Sequence, residues 1–363
     1  MKLIHTADLH LDSRLNARFS GEKKKERKNE LLMNFERLAD HASSHGVSAV
    51  LISGDLFDRD RVSETAAGIV RDVIRAHDDI EFFYLKGNHD MGGALSSDDV
   101  PANLHTFGTA WQSYTLAEDV MIHGLEITGK EAHDALTSLK TDPGNINIVM
   151  LHGQITESRY DAADHAICLP DLRYHEIDYL ALGHIHDRRE GRLDQRGIYV
   201  YPGCLEGRGF DECGEHGFTV LDIDTKKHRL TTEFVPFAKR TLFREEVDIT
   251  GLSSTNEILT AVKNILEQDD IQSKDMVQLH LMGFTEAEAE RDLSYISAVL
   301  EEKYYLAEVC DETVFLIHPE AYQYDETLKG VFVRQVLEDE SLSEEEKAAV
   351  IRYGFLALKQ EEL

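Results

Sequence analysis

The chain has 363 residues, 42% of them hydrophobic and 29% charged, a composition of ordinary globular proteins and a length beyond what one core usually spans. With six prolines and no low-complexity tract there is little room for a disordered linker, and no apolar stretch approaches the roughly 18 residues of a membrane span. The 38 Lys+Arg against 68 Asp+Glu give a formal charge of −30, which opposes nucleic-acid binding unless divalent metals or a partner offset it.

The opening MKLIHTADLH holds too short an apolar run for a signal peptide. Cys168, Cys204, Cys213 and Cys310 form no CxxC pair and no dense disulfide framework. Both features predict a cytoplasmic protein with reduced thiols.

Apolar runs of strand length recur along the chain, each ending in a polar loop. Residues 3–4 run into Asp8-Leu-His10, 47–52 into Gly54-Asp55, and 82–85 into Gly87-Asn88-His89-Asp90. Residues 146–151 run into His152-Gly153, and 179–182 into Gly183-His184-Ile-His186. Between them, 29–44 and 62–77 have apolar residues at helical spacing. Alternating strands and helices predict an α/β domain with its ligands at the carboxyl ends of the strands.

Past about residue 238 the pattern becomes a small α+β unit: strand 240–248, helix 254–268, strand 276–284, helix 286–303 and strand 305–317. Two helices, 326–338 and 343–360, follow around an acidic stretch. The predicted domains are therefore 1–238, 239–318 and 319–363.

Asp-x-His puts two metal donors on one turn, Gly54 and Gly87 give the backbone room to bend, and Asn88 offers a carbonyl oxygen. Asp55 supplies a carboxylate at a strand end, and His152, His184 and His186 add imidazoles. Two divalent ions can clamp a phosphoryl group and activate water near neutral pH. Each fragment alone is weak; the ordered set D-x-H, G-D-x-x-D, G-N-H-D, H-G, G-H-x-H, each behind an apolar strand, is specific. His5 and His123, inside strand patterns, read as structural, Cys204 as a loop residue, and Tyr304-Tyr305 as core of the α+β unit. Basic residues cluster at Lys23-Lys24-Lys25 with Arg27-Lys28, at Arg59 with Arg61, at Arg188-Arg189 and at Arg208; the bland reading of each cluster is a solvated surface.

Over roughly residues 1–225 this ordered set resembles the calcineurin-like metallophosphoesterase superfamily. The resemblance implies an α/β sandwich of β-sheets flanked by helices, with Asp8, His10 and His186 on one ion, Asn88, His152 and His184 on a second, and Asp55 spanning both. It leaves His89 as a non-ligand histidine that contacts the scissile phosphate or protonates the leaving oxygen. Ile4-His-Thr-Ala-Asp-Leu-His-Leu11, Ala181-Leu-Gly-His-Ile-His186, and Tyr201-Pro-Gly203 followed by Glu206 and Gly209-Phe-Asp-Glu212 are similar to SbcD/Mre-type DNA repair exonucleases. That likeness implies a manganese-dependent DNA nuclease (iron or zinc being alternatives), a capping domain that narrows access to the metals, and terminal helices that contact an SbcC/Rad-type coiled-coil ATPase; a homodimer is left open.

Mre-type proteins commonly carry His where this chain has Asp58. Gly54-Asp-Leu-Phe-Asp58-Arg59 also resembles phosphoprotein phosphatases, in which the second Asp orients the catalytic His and the Arg grips phosphate. Asp58 is thus expected to orient His89 and favour its imidazolium, with Arg59 and Arg208 on the substrate. A phosphatase or small-nucleotide phosphodiesterase is the alternative enzyme, and a scaffold for an ATPase partner the alternative of another class.

Overall fold

Strands that bury both faces read as unbroken apolar runs, and such runs build the core here. The structure, a computed structural model, describes residues 1–358 apart from 14, 16–18, 20, 59–61, 91–94, 96–98, 128–131, 159–164, 287–290 and 317–318. It divides into two units, Met1–Thr241 and Leu242–Leu363.

The strands of the first unit are β1 (Lys2–Thr6), β2 (Val47–Ser53), β3 (Glu81–Leu85), β4 (Leu104–Thr106), β5 (Gln112–Ala117), β6 (Val120–Gly124), β7 (Ile146–His152), β8 (Gln154–Thr156), β9 (Ala166–Cys168), β10 (Tyr179–Gly183), β11 (Arg189–Arg192), β12 (Ile198–Tyr201), β13 (Gly217–Asp224) and β14 (Arg229–Pro236). Its helices are α1 (Gly21–Ser44), α2 (Glu64–Ala76), α3 (Ala132–Thr137) and α4 (Leu169–Leu172). One sheet runs β14-β13-β1-β2-β3-β4 and the other β11-β12-β10-β7-β6-β5.

Alternate residues of a strand point to opposite faces. Leu3, Leu51, Phe83 and Leu85 of one sheet therefore meet Ile148, Met150, Tyr179 and Ala181 of the other. Ile4, Val50, Ile52 and Phe82 pack outward on Phe35 and Leu38 of α1 and Val70 and Ile74 of α2. Val149, Leu151, Leu180 and Leu182 pack on Leu136 of α3 and Leu169 and Leu172 of α4. The result is a mixed α/β sandwich, helix–sheet–sheet–helix. The parallel pairings β1–β2, β2–β3 and β7–β10 align Thr6 with Ile52, Ser53 with Leu85 and Gly183 with His152, so five strand ends open on one edge.

Helix α1 starts well before the apolar periodicity at 29–44. Its early turns carry charge, yet Arg27 is fully buried, its guanidinium 2.7 Å from Glu206 and 3.1 Å from Glu30. Ion pairing replaces the apolar stripe there, and it removes Arg27 from the basic surface cluster that the sequence suggests.

The second unit has a parallel sheet of β15 (Leu242–Asp248), β16 (Met276–Met282) and β18 (Leu306–Asp311). Helix α5 (Thr255–Gln268) opens with a capping box, Ser254 accepting from the Glu257 amide while Glu257 accepts from that of Ser254. The expected helix 286–303 is α6 (Leu293–Lys303), whose start is set by Asp292, accepting from the Tyr295 amide at 2.8 Å. The expected strand 305–317 is broken at Glu312-Thr313 into β18 and β19 (Val314–Leu316), and β19 pairs with β17 (Phe284–Glu286). Helices α7 (Pro319–Tyr322), α8 (Leu328–Glu338) and α9 (Glu344–Leu358) complete the unit. Ile351 and Phe355 of α9 are buried with Val333 and Val336 of α8, while Leu328, Val331, Val350 and Tyr353 are exposed. Among the described residues, no helix is long and apolar enough to cross a membrane.

Candidate metal centre

Beyond their strands, the loops after β1 and β2 continue to pair: Asp8 N donates to Gly54 O at 3.1 Å, His10 N to Asp55 O at 3.0 Å and Leu11 N to Leu56 O at 2.9 Å. Buried Asp90 ties in the loop after β3, accepting from Phe57 N at 2.8 Å, Gly87 N at 3.0 Å and Leu56 N at 3.2 Å. Burial and the nearby Asp55 charge push its carboxyl up to about 6. In the sequence Asp90 is visible only as the last letter of G-N-H-D, with no role attached.

Crowding explains the glycines. A Cβ on Gly87 would fall on the Asp55 carboxylate, and one on Gly54, at φ +93, on the His152 ring. Asp8, His10, Asp55 and His184 themselves hold positive φ (53°, 45°, 50° and 99°), backbone conformations that concentrate at functional sites.

Three loops of one sheet and two of the other bring the seven proposed ligands together. Nε2 of His10 and Nε2 of His186 are 3.1 Å apart, and donor atoms of Asp8, His10 and His186 lie within 4.8 Å of one another. Nε2 of His152 is 2.9 Å from Asn88 Oδ1, which is 3.1 Å from His184 Nδ1. Asp55 Oδ2 lies between the two groups, 3.3 Å from His152 Nε2 and 3.8 Å from His10 Nε2. Asp8 accepts the His184 amide on both oxygens at 3.0 Å, and Asp55 Oδ1 accepts that of His89 at 2.9 Å.

The donor chemistry fits metal ions. His10 Nδ1 is 3.0 Å from Asp58 Oδ1 and His186 Nδ1 is 2.7 Å from Glu212 Oε1. An ionised carboxylate only accepts, so each Nδ1 carries the hydrogen and each Nε2 presents a lone pair. His152 likewise turns Nδ1 to the Ser53 carbonyl at 2.9 Å. Lone pairs face to face call for a cation between them. Two nitrogens about 2.1 Å from one ion at a right angle would be roughly 3 Å apart, the separation found.

Without an ion the crowded donors titrate in different directions, and a proton on His152 occupies the lone pair that an ion would take. Burial, with the Asp55 charge, pushes the Asp8 carboxyl up to about 7. Burial opposes charge on His152, yet the Asp55 hydrogen bond and charge, with Asp8, push it up to about 9. Burial and the neighbouring His152 hold His184 down at about 4, in the neutral form a metal ligand needs.

Asp58 has its close partner in His10. His89 Nδ1 is 3.8 Å from Asp58 Oδ1, and its side chain is 48% exposed. Although burial opposes it, the His10 hydrogen bond and charge hold Asp58 down at about 2. Arg208 contacts both Asp58 and Glu212. A cavity of about 290 Å³ beside the donors is lined by Ser13, Asp58, His89, Arg208, Gly209, Asp211 and Glu212. Arg59 and Arg61 lie outside the described residues. Arg188 and Arg189 pair on the surface with Glu190 and Asp187. His5, His123 and Cys204 are buried, His5 against Tyr179, His123 against Ser113 and Asn147, and Cys204 against His216.

Nitrogen and oxygen donors gathered at the carboxyl edge of a two-sheet sandwich define a metal-binding α/β class. Within it, the chain belongs to the calcineurin-like phosphoesterase family, whose profile matches residues 1–188 of 363. It is 26% identical over 243 residues to the uncharacterized metallophosphoesterase YhaO of Bacillus subtilis, covering 61% of this chain and 57% of that one. It is 25% identical over 290 residues to the DNA double-strand break repair protein Mre11 of Aeropyrum pernix, covering 73% and 68%. It is 23% identical over 271 residues to a component of the nuclease SbcCD of Staphylococcus epidermidis, covering 65% and 69%. The chain thus spans little more than half the length of the first of these relatives.

Proposed function

We propose that this protein is a manganese-dependent DNA nuclease that hydrolyses phosphodiester bonds at a two-ion centre. The observation that carries the reading is the convergence of seven donors, with their lone pairs facing one another, beside a cavity walled by a half-exposed histidine. Asp8, His10 and His186 would hold one ion, Asn88, His152 and His184 the other, and Asp55 both. When bound, the ions supply charge for the phosphoryl oxygens and a lowered pKa for water. His89, on the wall of that cavity, would donate a proton to the leaving oxygen, and Asp58, 3.8 Å away, would bias its orientation. DNA as the substrate is supported by the relatives named for double-strand break repair and for the SbcCD nuclease.

The name SbcCD, of which that relative is one subunit, supports a second subunit as partner; it would be a coiled-coil ATPase of the SbcC/Rad type, supplying a DNA grip to a chain of charge −30. The exposed Leu328, Val331, Val350 and Tyr353 of α8 and α9 are the proposed contact. The test is hydrolysis with Mn²⁺ of linear duplex DNA, single-stranded DNA, a cyclic nucleotide and an aryl phosphate monoester in parallel. Cleavage of DNA is expected; turnover of the monoester or the cyclic nucleotide alone would make this a phosphatase or small-nucleotide phosphodiesterase.

A further inference from the structure

The two halves of the donor cluster are held from behind in different ways. His152 is braced by a neutral backbone carbonyl, that of Ser53 at 2.9 Å, and His184 turns Nδ1 itself into the cluster, 3.1 Å from Asn88 Oδ1. His10 and His186 are each braced by a carboxylate, Asp58 at 3.0 Å and Glu212 at 2.7 Å. These two acids come from loops far apart in sequence. A carboxylate on Nδ1–H fixes the tautomer and makes the facing Nε2 a stronger donor, but two anions behind one ion need a cation of their own.

One guanidinium serves both. Arg208 reaches Glu212 Oε1 through Nη2 at 2.6 Å and through Nε at 3.2 Å, and Asp58 Oδ1 through Nη1 at 3.4 Å. Its backbone amide donates to Glu212 Oε2 at 2.7 Å. The loop is anchored in turn: the carbonyl of Gly207 accepts from Arg27 Nη2 at 2.7 Å, and Arg27 is fully buried against Glu206 and Glu30. The planar fork of arginine can bind one carboxylate along an edge and still reach a second; an ammonium cannot. With its donors turned to these acids, Arg208 is built less as a grip on phosphate than as a brace behind the metal ligands.

We infer that Arg208 is a positioning residue that locks the two outer carboxylates of a single ion, the one assigned to Asp8, His10 and His186, so that the two ion positions depend on different parts of the protein. This rests on the two-ion reading above, which the wild-type metal count checks separately. Without Arg208, buried Glu212 loses its cation, His186 and His10 lose their fixed aim, and that ion weakens by on the order of 10–100-fold. The ion assigned to Asn88, His152 and His184 keeps its affinity.

The experiment measures Mn²⁺ binding to the full chain by calorimetry, and the coupling of the bound ions by electron paramagnetic resonance, for wild type, Arg208→Gln, Glu212→Gln and Asn88→Ala. Arg208→Gln is expected to keep one tight ion and lose the coupled two-ion signal, with activity recovered at raised Mn²⁺. Glu212→Gln, which keeps the shape of the side chain, is expected to lose the same ion. Asn88→Ala removes the other, so Arg208→Gln with Asn88→Ala retains neither. Melting of the metal-free proteins reads the fold apart from the ions. Arg208→Gln holding both ions at wild-type affinity while KM rises would make it a phosphate clamp and overturn the inference; so would equal weakening of both ions.

Discussion

Both units of this chain place parallel strands side by side and end them in acids, but the acids have opposite fates. In the second unit, Asp248 at the end of β15 accepts from the Thr250 hydroxyl at 2.6 Å. Asp311 at the end of β18 accepts from the Thr313 hydroxyl at 2.6 Å and pairs with Arg291 at 3.2 Å and Arg352 at 3.1 Å. These carboxylates have donors enough. In the first unit, Asp8 and Asp55 face imidazoles whose outward nitrogens already spend their hydrogens on Asp58, Glu212 and Ser53. Among the described residues, Asp8 and Asp55 accept backbone amides, from His184 and His89, but no guanidinium such as those that pair with Asp311, and all clusters of three or more potential metal donors fall in the first unit. Charge divides the same way. The first unit has 28 Lys+Arg against 40 Asp+Glu and the second 10 against 28, so −18 of the −30 belongs to the smaller unit.

The largest expected effect breaks the chemistry of the first unit alone. Asp55→Ala should abolish turnover and lower metal content at both positions, because its carboxylate lies between the two donor groups. Metal analysis that still finds two ions per chain would remove Asp55 from the bridging role. Hydrogen exchange sharpens the comparison: chelation should lower protection in β1, β2 and β10 and leave β16 unchanged, since ligands stabilise only the structure that binds them.

His89→Asn comes next. The seven other side chains already offer each ion several donors, and His89 stands half-exposed on the cavity wall, so it is not needed to hold an ion. Both metals and the melting temperature should stay near wild type while DNA hydrolysis falls by roughly 10²–10⁴-fold. An activated aryl ester, whose leaving group needs no proton, should lose less. Loss of an ion, or equal slowing of all substrates, would make His89 a ligand or a clamp.

A smaller effect is expected at the buried ionic anchor of α1. Although burial opposes it, hydrogen bonds from Arg240, Lys239 and Arg27 hold the Glu30 carboxyl down at about 2. A depressed carboxyl contributes stability above its unfolded pKa of about 4.3 and loses it as pH falls through the folded value. Glu30→Gln should therefore lower the melting temperature at pH 7, and the gap to wild type should close between about pH 4 and 2. A gap that does not change with pH would mean that packing, and not charge, is what Glu30 supplies.

What the sequence disclosed follows from which interactions are local. Asp8-x-His10, Asn88 and His184-x-His186 sit on short turns behind apolar strands, so spacing and residue type suffice to mark them. The pairs His10–Asp58, His186–Glu212 and Arg27–Glu206 join distant loops through ordinary charged residues, and no local pattern distinguishes them from solvated side chains. Arg27 shows the cost of this: inside a run of lysines it reads as surface, and it is fully buried. The same limit applies at α9, where helical periodicity marks Val350, Ile351, Phe355 and Leu358 as one stripe but cannot say what covers it.

That stripe sets the last and smallest test, which concerns the second unit alone. Ile351 and Phe355 are used internally against Val333 and Val336, and the side chain of Leu358 lies outside the described residues. Truncation near residue 340 would therefore strip α8 of its own packing and confuse folding with docking. Leu328 and Tyr353, 70% and 62% exposed, are the cleaner probes, because surface substitutions away from special features usually change stability by no more than about 0.5 kcal/mol. A buried tyrosine at an interface can be worth about 2 kcal/mol or more, a factor of roughly 30 in affinity. Leu328→Ala with Tyr353→Ala should thus leave hydrolysis of an aryl phosphodiester and the melting temperature unchanged, and weaken binding of a coiled-coil ATPase by about that factor in a titration. If the affinity does not move, these helices do not carry the contact.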